Sequence, residues 1–274
     1  MRVLTLLLAA ALIASPALAQ TIPGTPDAPP QTALPTDAAL NPALPTVFIV
    51  GDSTARNGLN LGWGDHFAHF FDTSRINVAN RAIAGRSSRT YINEGHWTDV
   101  LAQMKAGDYL LLQMGHNDGG DLGGAKPRGT IKGIGDESQD VPQTTGPLAG
   151  KTEPVHTYGW YLRKYIDEAR AKGVHPILLT VTIRNIWKDG KIERDMGYTG
   201  FIRQVADQEH IPVADMATIE ADKLEPLGPE KVALLFPKDH THTSPEGAEI
   251  AASSVVDALR QIHSPLVAYL QAAN

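Results

Sequence analysis

The chain contains no cysteine among its 274 residues. A disulfide scaffold, a catalytic thiol and a thiolate metal site are therefore excluded. The protein must be held together by its hydrophobic core, and a chain of this length has enough residues to bury a large one.

Positively charged residues are also fewer than negatively charged ones. The 24 Lys and Arg residues are outnumbered by 30 Asp and Glu residues, the formal net charge is −6, and no block of Lys or Arg interrupts the sequence. Nucleic acids and anionic membranes bind basic patches. The balance therefore argues against both as partners, and no obligate protein partner is evident.

Long apolar runs are missing after the first 20 residues. Those 20 read MRVLTLLLAAALIASPALAQ, with one Arg, an apolar run and small residues before Gln20. This pattern predicts a signal peptide over residues 1–19 and export to the periplasm or the exterior, because the run is too short to span a bilayer. Residues 20–45 are rich in Pro, Ala and Thr and are predicted to form a flexible linker. Residues 46–274 are predicted to form one catalytic domain.

Apolar runs and amphipathic patterns alternate through this domain. Five runs are typical of strands, namely TVFIV (46–50), RINVAN (75–80), YLLLQM (109–114), PILLTVT (176–182) and IPVADM (211–216). Four stretches show helical spacing, at 97–107, 157–173, 198–210 and 244–263, the last with Ser244 as its N-cap. The alternation predicts a parallel sheet with helices on both faces.

Polar residues follow the predicted strands, where sites form in such folds. Ser53 lies in GDSTA, Gly85 in NRAIAGRSSRTY and Asn117 in GHNDGG, while Asp239 and His242 precede the last helix in FPKDHTH. A serine hydroxyl needs a base such as imidazole, and a carboxylate on the other ring nitrogen fixes the tautomer. The N–H groups of Ser53 and Gly85 and the amide of Asn117 are candidate oxyanion donors.

These motifs, in this order, resemble the SGNH (GDSL-type) hydrolases over most of residues 46–262. Ser53, Gly85, Asn117 and His242 match the four letters, and Asp239 matches the family's Asp-x-x-His. The resemblance implies a three-layer α/β/α sandwich, the flavodoxin-like SGNH hydrolase fold, around a mostly parallel five-stranded sheet. The rival α/β-hydrolase fold would show a G-x-S-x-G elbow in mid-sequence, which this serine does not have.

A closer resemblance is to rhamnogalacturonan acetylesterases and related bacterial carbohydrate esterases. The matching stretches are GLNLGWGDHFAHFF, NRAIAGRSSRTY, LLLQMGHNDGG, VHTYGWYLRKYI, VTIRNIWKDGK and FPKDHTHTSPEGA. The resemblance implies deacetylation of plant cell-wall polysaccharide or oligosaccharide by a Ser53–His242–Asp239 triad. It implies an oxyanion hole formed by Ser53, Gly85 and Asn117, and no metal or other cofactor.

Substrate contacts are less well defined by the sequence. Candidates are basic residues near the second loop and aromatic residues that could stack on sugars, namely Arg86, Arg89, Trp63, Tyr91 and Trp187. Ordinary ion pairs and core packing explain the same residues. The Gly- and Pro-rich segment 119–155 is predicted to form a substrate-binding rim over the site, with a mobile insertion as the alternative.

Other functions stay open at this point. His240, His242 and Asp239, with His116, would suit a zinc ion, although the Ser, Gly and Asn motifs would then be unexplained. An acetylesterase for acetyl-xylan or small esters would use the same machinery. An acetyltransferase or a non-catalytic carbohydrate-binding protein on the same fold is the remaining alternative.

Overall fold

The computed structural model describes residues 34–35 and 39–272. The predicted signal peptide, residues 1–19, and most of the predicted linker lie outside the described residues. None of the helices in the described part of the chain is both long enough and apolar enough to cross a bilayer.

Nine strands and eight α-helices are found within residues 39–272. The strands are β1 (Thr46–Gly51), β2 (Asn77–Asn80), β3 (Tyr109–Gln113), β4 (Ser138–Pro142), β5 (Thr152–His156), β6 (His175–Leu179), β7 (Trp187–Lys188), β8 (Lys191–Ile192) and β9 (Val213–Ala214). The helices are α1 (Trp63–His66), α2 (Ser88–Asn93), α3 (His96–Gln103), α4 (Tyr158–Ala171), α5 (Thr199–Glu209), α6 (Met216–Leu224), α7 (Pro229–Leu235) and α8 (Pro245–Gln261).

The central sheet has five parallel strands in the order β2-β1-β3-β6-β9. Alternate residues of β1 enter different cores: Phe48 and Val50 pack with α2 to α5, whereas Val47 and Ile49 pack with α1 and α8. Both faces are therefore covered, which explains why the strands read as continuous apolar runs. The predicted three-layer α/β/α architecture is confirmed.

Element boundaries differ from the predictions where the chain leaves the sheet. The last strand, predicted over 211–216, contains only Val213 and Ala214, because the side chain of Asp215 caps α6 by accepting a hydrogen bond from the Thr218 N–H. The last helix begins as predicted, with the Ser244 hydroxyl accepting a hydrogen bond from the Gly247 N–H at 3.2 Å. Helices α1, α2, α6 and α7 are not among the predictions.

The end of the predicted linker is attached to the domain. Leu34 and Leu40 pack against the core under α2 to α5. The Asn41 N–H donates to the Asn77 side chain at 3.0 Å, and the Asn77 amide donates back to the Asn41 carbonyl at 2.9 Å. These contacts hold the chain where it enters β1.

The segment 119–155 is a folded insertion, of which β4 and the first four residues of β5 form an antiparallel hairpin. Arg89 of α2, which is 1% exposed, attaches this insertion to the domain. Arg89 pairs with both carboxylate oxygens of Glu153 at 2.7 and 2.8 Å and donates to the carbonyls of Gly129 and Leu122. A bidentate, buried pair of this kind fixes geometry as well as charge.

We expect Arg89→Ala to lower the free energy of unfolding by about 3–5 kcal/mol, since removing one partner leaves the Glu153 carboxylate buried without a counter-ion. Urea denaturation followed by circular dichroism measures this change. Arg75→Ala is the matched control, because Arg75 is exposed and its guanidinium has no carboxylate partner in the described part of the chain: it donates to the Ala268 carbonyl and lies over the Tyr269 ring. Equal losses in the two variants would contradict the assigned role of Arg89.

A buried carboxyl group in α6 makes stability depend on pH. Glu220 is 1% exposed and accepts a hydrogen bond from the Ile183 N–H at 3.3 Å. Burial raises the pKa of Glu220 from 4.5 to about 8. The folded protein therefore binds one more proton than the unfolded chain between these values, and this group makes the protein less stable as pH rises through that window.

We expect Glu220→Gln to remove this dependence, because glutamine keeps the acceptor for the Ile183 N–H without a charge to bury. The stability of the variant relative to the wild type should rise by at least about 1 kcal/mol between pH 5 and pH 8. Urea unfolding at both pH values checks it, with the exposed Glu230→Gln as control. Parallel pH profiles for wild type and Glu220→Gln would show that Glu220 is not protonated in the folded state.

Candidate active site

Three predicted residues meet beyond the carboxyl end of β1. Ser53 lies two residues after the end of β1, and its hydroxyl is 2.9 Å from Nε2 of His242. The other ring nitrogen of His242, Nδ1, lies 2.7 Å from Oδ2 of Asp239. The hydroxyl, imidazole and carboxylate therefore form a continuous hydrogen-bonded relay, as nucleophilic catalysis by serine requires.

The turn before α8 holds the carboxylate of this relay in place. Oδ1 of Asp239 accepts hydrogen bonds from the N–H groups of Thr241 and His242 at 2.7 and 2.8 Å. Partial burial alone would raise the pKa of Asp239, but the hydrogen bonds from His242 and Thr241 hold it below its ordinary value. The Asn185 N–H donates to the His240 carbonyl at 2.7 Å and fixes the same turn from the loop after β6.

Three potential oxyanion donors come from three separate loops. Gly85 has a φ of 79°, a left-handed conformation that favours glycine, in the loop after β2. Neither the Ser53 N–H nor the Gly85 N–H donates to an acceptor in the described part of the protein. The Asn117 amide nitrogen donates one hydrogen to the Arg86 carbonyl at 2.9 Å, which leaves its second N–H for a ligand.

A buried polar network holds the turn that carries Ser53. Oδ1 of Asp52 accepts hydrogen bonds from the N–H and the hydroxyl of Thr54, both at 2.9 Å. Gln113, at the end of β3, accepts the indole N–H of Trp63 at 2.9 Å. The Thr54 hydroxyl also lies 3.1 Å from Oε1 of Gln113, which connects the turn after β1 with the neighbouring strand.

Trp63 is therefore not a sugar-stacking residue, and that prediction is wrong. Its ring is 0% exposed, and it packs edge-on against Phe67 at 5.6 Å. Tyr91 is also 0% exposed and donates its hydroxyl to the Arg81 carbonyl at 2.5 Å. A fully buried ring presents no face to a substrate, so both residues belong to the core.

Both arginines proposed as substrate contacts are paired with carboxylates of the protein. Arg89 is buried in its pair with Glu153, so its prediction as a substrate contact is wrong. Arg86 pairs with Glu94 at 2.8 Å, and its side chain is 14% exposed. Trp187 is half-buried, and its indole N–H donates to Asn185 at 2.8 Å. Of the proposed substrate contacts, Arg86 and Trp187 keep partly exposed side chains.

The histidines considered as metal ligands have other partners. Both ring nitrogens of His242 are occupied by Ser53 and Asp239, which leaves no lone pair for a metal ion. His116 lies 2.7 Å from the Thr182 hydroxyl, and burial lowers its pKa from 6.5 to about 4. Among residues 34–35 and 39–272, no group of three or more His, Cys, Asp or Glu side chains is arranged to hold a metal ion.

Two residues near the oxyanion donors are not among the sequence predictions. Asp118 is fully buried and accepts the Ser88 hydroxyl at 2.5 Å, which attaches the GHND loop to the start of α2. Nη1 of Arg128, from the insertion, donates hydrogen bonds to Oδ1 of Asn117 at 2.8 Å and to the Gly85 carbonyl at 3.3 Å. No local signal distinguishes Arg128 from other arginines, because its importance comes from a contact made by folding.

The chain is similar to named esterases over most of its length. Residues 49–250 match the model of the GDSL-like Lipase/Acylhydrolase family. A rhamnogalacturonan acetylesterase of Emericella nidulans is 31% identical over 215 residues, covering 78% of this chain and 84% of that protein. A rhamnogalacturonan acetylesterase of Bacillus subtilis is 30% identical over 245 residues, covering 82% of this chain and 93% of that protein.

A solved structure shares the fold. The structure of an acetylxylan esterase from Geobacillus stearothermophilus superposes with a TM-score of 0.54 and 19% sequence identity. The match covers 84% of this chain and 97% of that one. At this identity the similarity concerns the architecture of the sheet and its helices and does not extend to the substrate.

Proposed function

The chain belongs to the GDSL-like Lipase/Acylhydrolase family and is a carboxylic ester hydrolase, and we propose that it removes O-acetyl groups from a carbohydrate. The proposed substrate is acetylated rhamnogalacturonan. The observation that carries the chemistry is the relay from Ser53 through His242 to Asp239. A non-catalytic carbohydrate-binding protein does not need such a relay.

In the proposed mechanism Ser53 attacks the acetyl carbonyl carbon while Nε2 of His242 takes the hydroxyl proton. Asp239 accepts a hydrogen bond from the Nδ1–H of His242 and stabilises the imidazolium that forms. The negative charge on the former carbonyl oxygen is bound by the N–H groups of Ser53 and Gly85 and by the free N–H of Asn117. When this tetrahedral intermediate collapses, the bond between the acetyl carbon and the sugar oxygen breaks. His242 gives its proton to that sugar oxygen, which leaves as a hydroxyl group.

The second half of the reaction uses the same groups. Water attacks the acetyl-enzyme as His242 removes its proton, and acetate leaves as the proton returns to the Ser53 oxygen. No metal is needed, because His242 supplies the base and the N–H donors supply the electrostatic stabilisation. The two relatives named rhamnogalacturonan acetylesterases support the choice of polymer.

The test is acetate release from acetylated rhamnogalacturonan, measured beside acetylated xylan and 4-nitrophenyl acetate. We expect the pectic polymer to be the preferred substrate, with loss of activity on all three in Ser53→Ala. Preference for xylan would overturn the choice of polymer and keep the mechanism. Activity on the small ester alone would overturn the carbohydrate assignment.

We also propose that the protein is exported, on the strength of the N-terminal pattern over residues 1–19. Intact-mass measurement of the protein isolated from its natural producer checks this. A mass that corresponds to cleavage after Ala19 supports export, whereas retention of the first 19 residues argues against it.

A further inference from the structure

The insertion reaches the proposed oxyanion hole through one side chain, Arg128. One guanidinium nitrogen, Nη1, lies 2.8 Å from Oδ1 of Asn117 and 3.3 Å from the carbonyl oxygen of Gly85. Asn117 and Gly85 supply two of the three proposed oxyanion donors. The Arg128 guanidinium therefore contacts both of the residues that supply these two donors.

These contacts fix which way the Asn117 amide points. A guanidinium only donates hydrogen bonds, so the atom facing Arg128 must be the amide oxygen. The Arg86 carbonyl only accepts, so the atom facing it must be the amide nitrogen, at 2.9 Å. The two partners together leave one orientation of the amide, in which its second N–H is free to bind an oxyanion.

The position of Arg128 is itself well fixed. The next residue, Gly129, accepts a hydrogen bond from buried Arg89 at 2.6 Å and donates to the Asp121 carbonyl at 2.8 Å. A Cβ at Gly129 would lie 1.9 Å from the Gly120 carbonyl oxygen, so the backbone segments around Gly120 and Gly129 are in direct contact. The loop is closed by the Thr130 N–H, which donates to the Asp118 carbonyl at 2.9 Å.

We propose that Arg128 is a positioning residue for ester hydrolysis, which orients the Asn117 amide and the Gly85 backbone for oxyanion binding and thereby makes the insertion part of the catalytic centre. This inference rests on the proposed serine esterase mechanism. The guanidinium also polarises the amide through Oδ1, which strengthens the remaining N–H as a donor. Loss of Arg128 leaves Oδ1 without a donor and allows the amide to turn.

The test is steady-state hydrolysis of 4-nitrophenyl acetate, an ester without a sugar that Arg128 could bind. Removing a whole oxyanion donor typically lowers kcat by about 10²–10³-fold, and we expect Arg128→Ala to lower kcat by about 10–100-fold. KM should stay within about threefold, because the lost interaction is made only in the transition state. Lys126→Ala, which removes a charge from an exposed position in the same loop, should match the wild type.

A double-mutant cycle with Asn117→Ala separates positioning from a structural role. If Arg128 acts through Asn117, adding Arg128→Ala to Asn117→Ala should lower kcat by less than about threefold, because the effects of coupled residues are not additive. Arg128→Lys, which keeps a cation and one donor for Oδ1, should recover part of the lost kcat. If Arg128→Ala folds poorly, Arg128→Lys decides the question, because it keeps the charge in place and changes only the hydrogen-bonding geometry at Oδ1.

Three results would overturn the inference. They are a kcat for Arg128→Ala within twofold of the wild type, a rise in KM at constant kcat, and an equal loss of kcat with or without Asn117. Wild-type and Ser53→Ala protein are assayed in parallel. Hydrolysis that does not depend on Ser53 would overturn the proposed mechanism itself, which distinguishes that failure from a failure of the inference about Arg128.

Discussion

Replacement of Ser53 by alanine is expected to lower kcat by at least about 10⁴-fold, since the nucleophile of a serine hydrolase cannot be replaced by the rest of the relay. The fold should be unaffected, because His242 is the one partner of the Ser53 hydroxyl among the residues that the structure describes. The measurement is kcat for 4-nitrophenyl acetate, with thermal unfolding followed by circular dichroism.

Ser74→Ala is the matched control for the loss of a serine hydroxyl. Ser74 is exposed, and its hydroxyl donates to Asp72 in a surface turn. It should keep wild-type activity. A Ser53→Ala protein with activity close to that of Ser74→Ala would remove Ser53 from the mechanism, and with it the proposed triad.

Asp239→Asn is expected to lower kcat by about 10³–10⁴-fold while the turn keeps its shape. The backbone N–H groups of Thr241 and His242 point at one oxygen of Asp239, and an asparagine must place its own oxygen there. Its NH₂ group then faces Nδ1 of His242. Nδ1 must accept that hydrogen bond, so the ring proton moves to Nε2, which can no longer take the proton of Ser53.

The prediction is checked by kcat for the same ester and by the melting temperature. Asp72→Asn is its matched control, because Asp72 also accepts a backbone N–H two residues on, from Ser74, in a turn outside the triad. We expect that control to be as active as the wild type. An Asp239→Asn enzyme with kcat within tenfold of the wild type would show that the carboxylate does not set the tautomer of His242.

The contacts of the folded insertion bear on the position of Asn117. An oxyanion hole lowers the barrier only if its donors are already in place when charge develops. The Asn117 amide lies at the start of a long Gly-rich segment, which would not hold it by itself. The buried Arg89–Glu153 pair and the contacts of Arg128 supply the missing constraints.

Sequence reasoning succeeded where the signal is local or ordered along the chain. The strand at 46–51 and the helix that begins after Ser244 follow from an apolar run and an N-cap pattern, each formed by neighbouring residues. The order of the Ser53, Gly85, Asn117 and Asp-x-x-His motifs carried the triad hypothesis. The geometry agrees with that hypothesis, which activity measurements on the variants have still to test.

Sequence reasoning failed where burial decides the role of a side chain. Trp63, Tyr91 and Arg89 lie in motifs close to the site, and all three were predicted to touch the substrate. Their rings and guanidinium point into the protein, where each finds a hydrogen-bond partner. An aromatic or basic residue can have the same sequence neighbours whether its side chain is buried or exposed. The sequence therefore did not distinguish the two cases.

The sequence by itself therefore determined the parallel sheet, the order of its strands along the chain and the chemical identity of the reactive groups, because short-range patterns encode them. Only the tertiary structure decided which polar and aromatic side chains are buried. It also decided that Arg128 meets Gly85, 43 positions away. Such contacts depend on how distant segments pack against one another, and no short stretch of sequence contains that information.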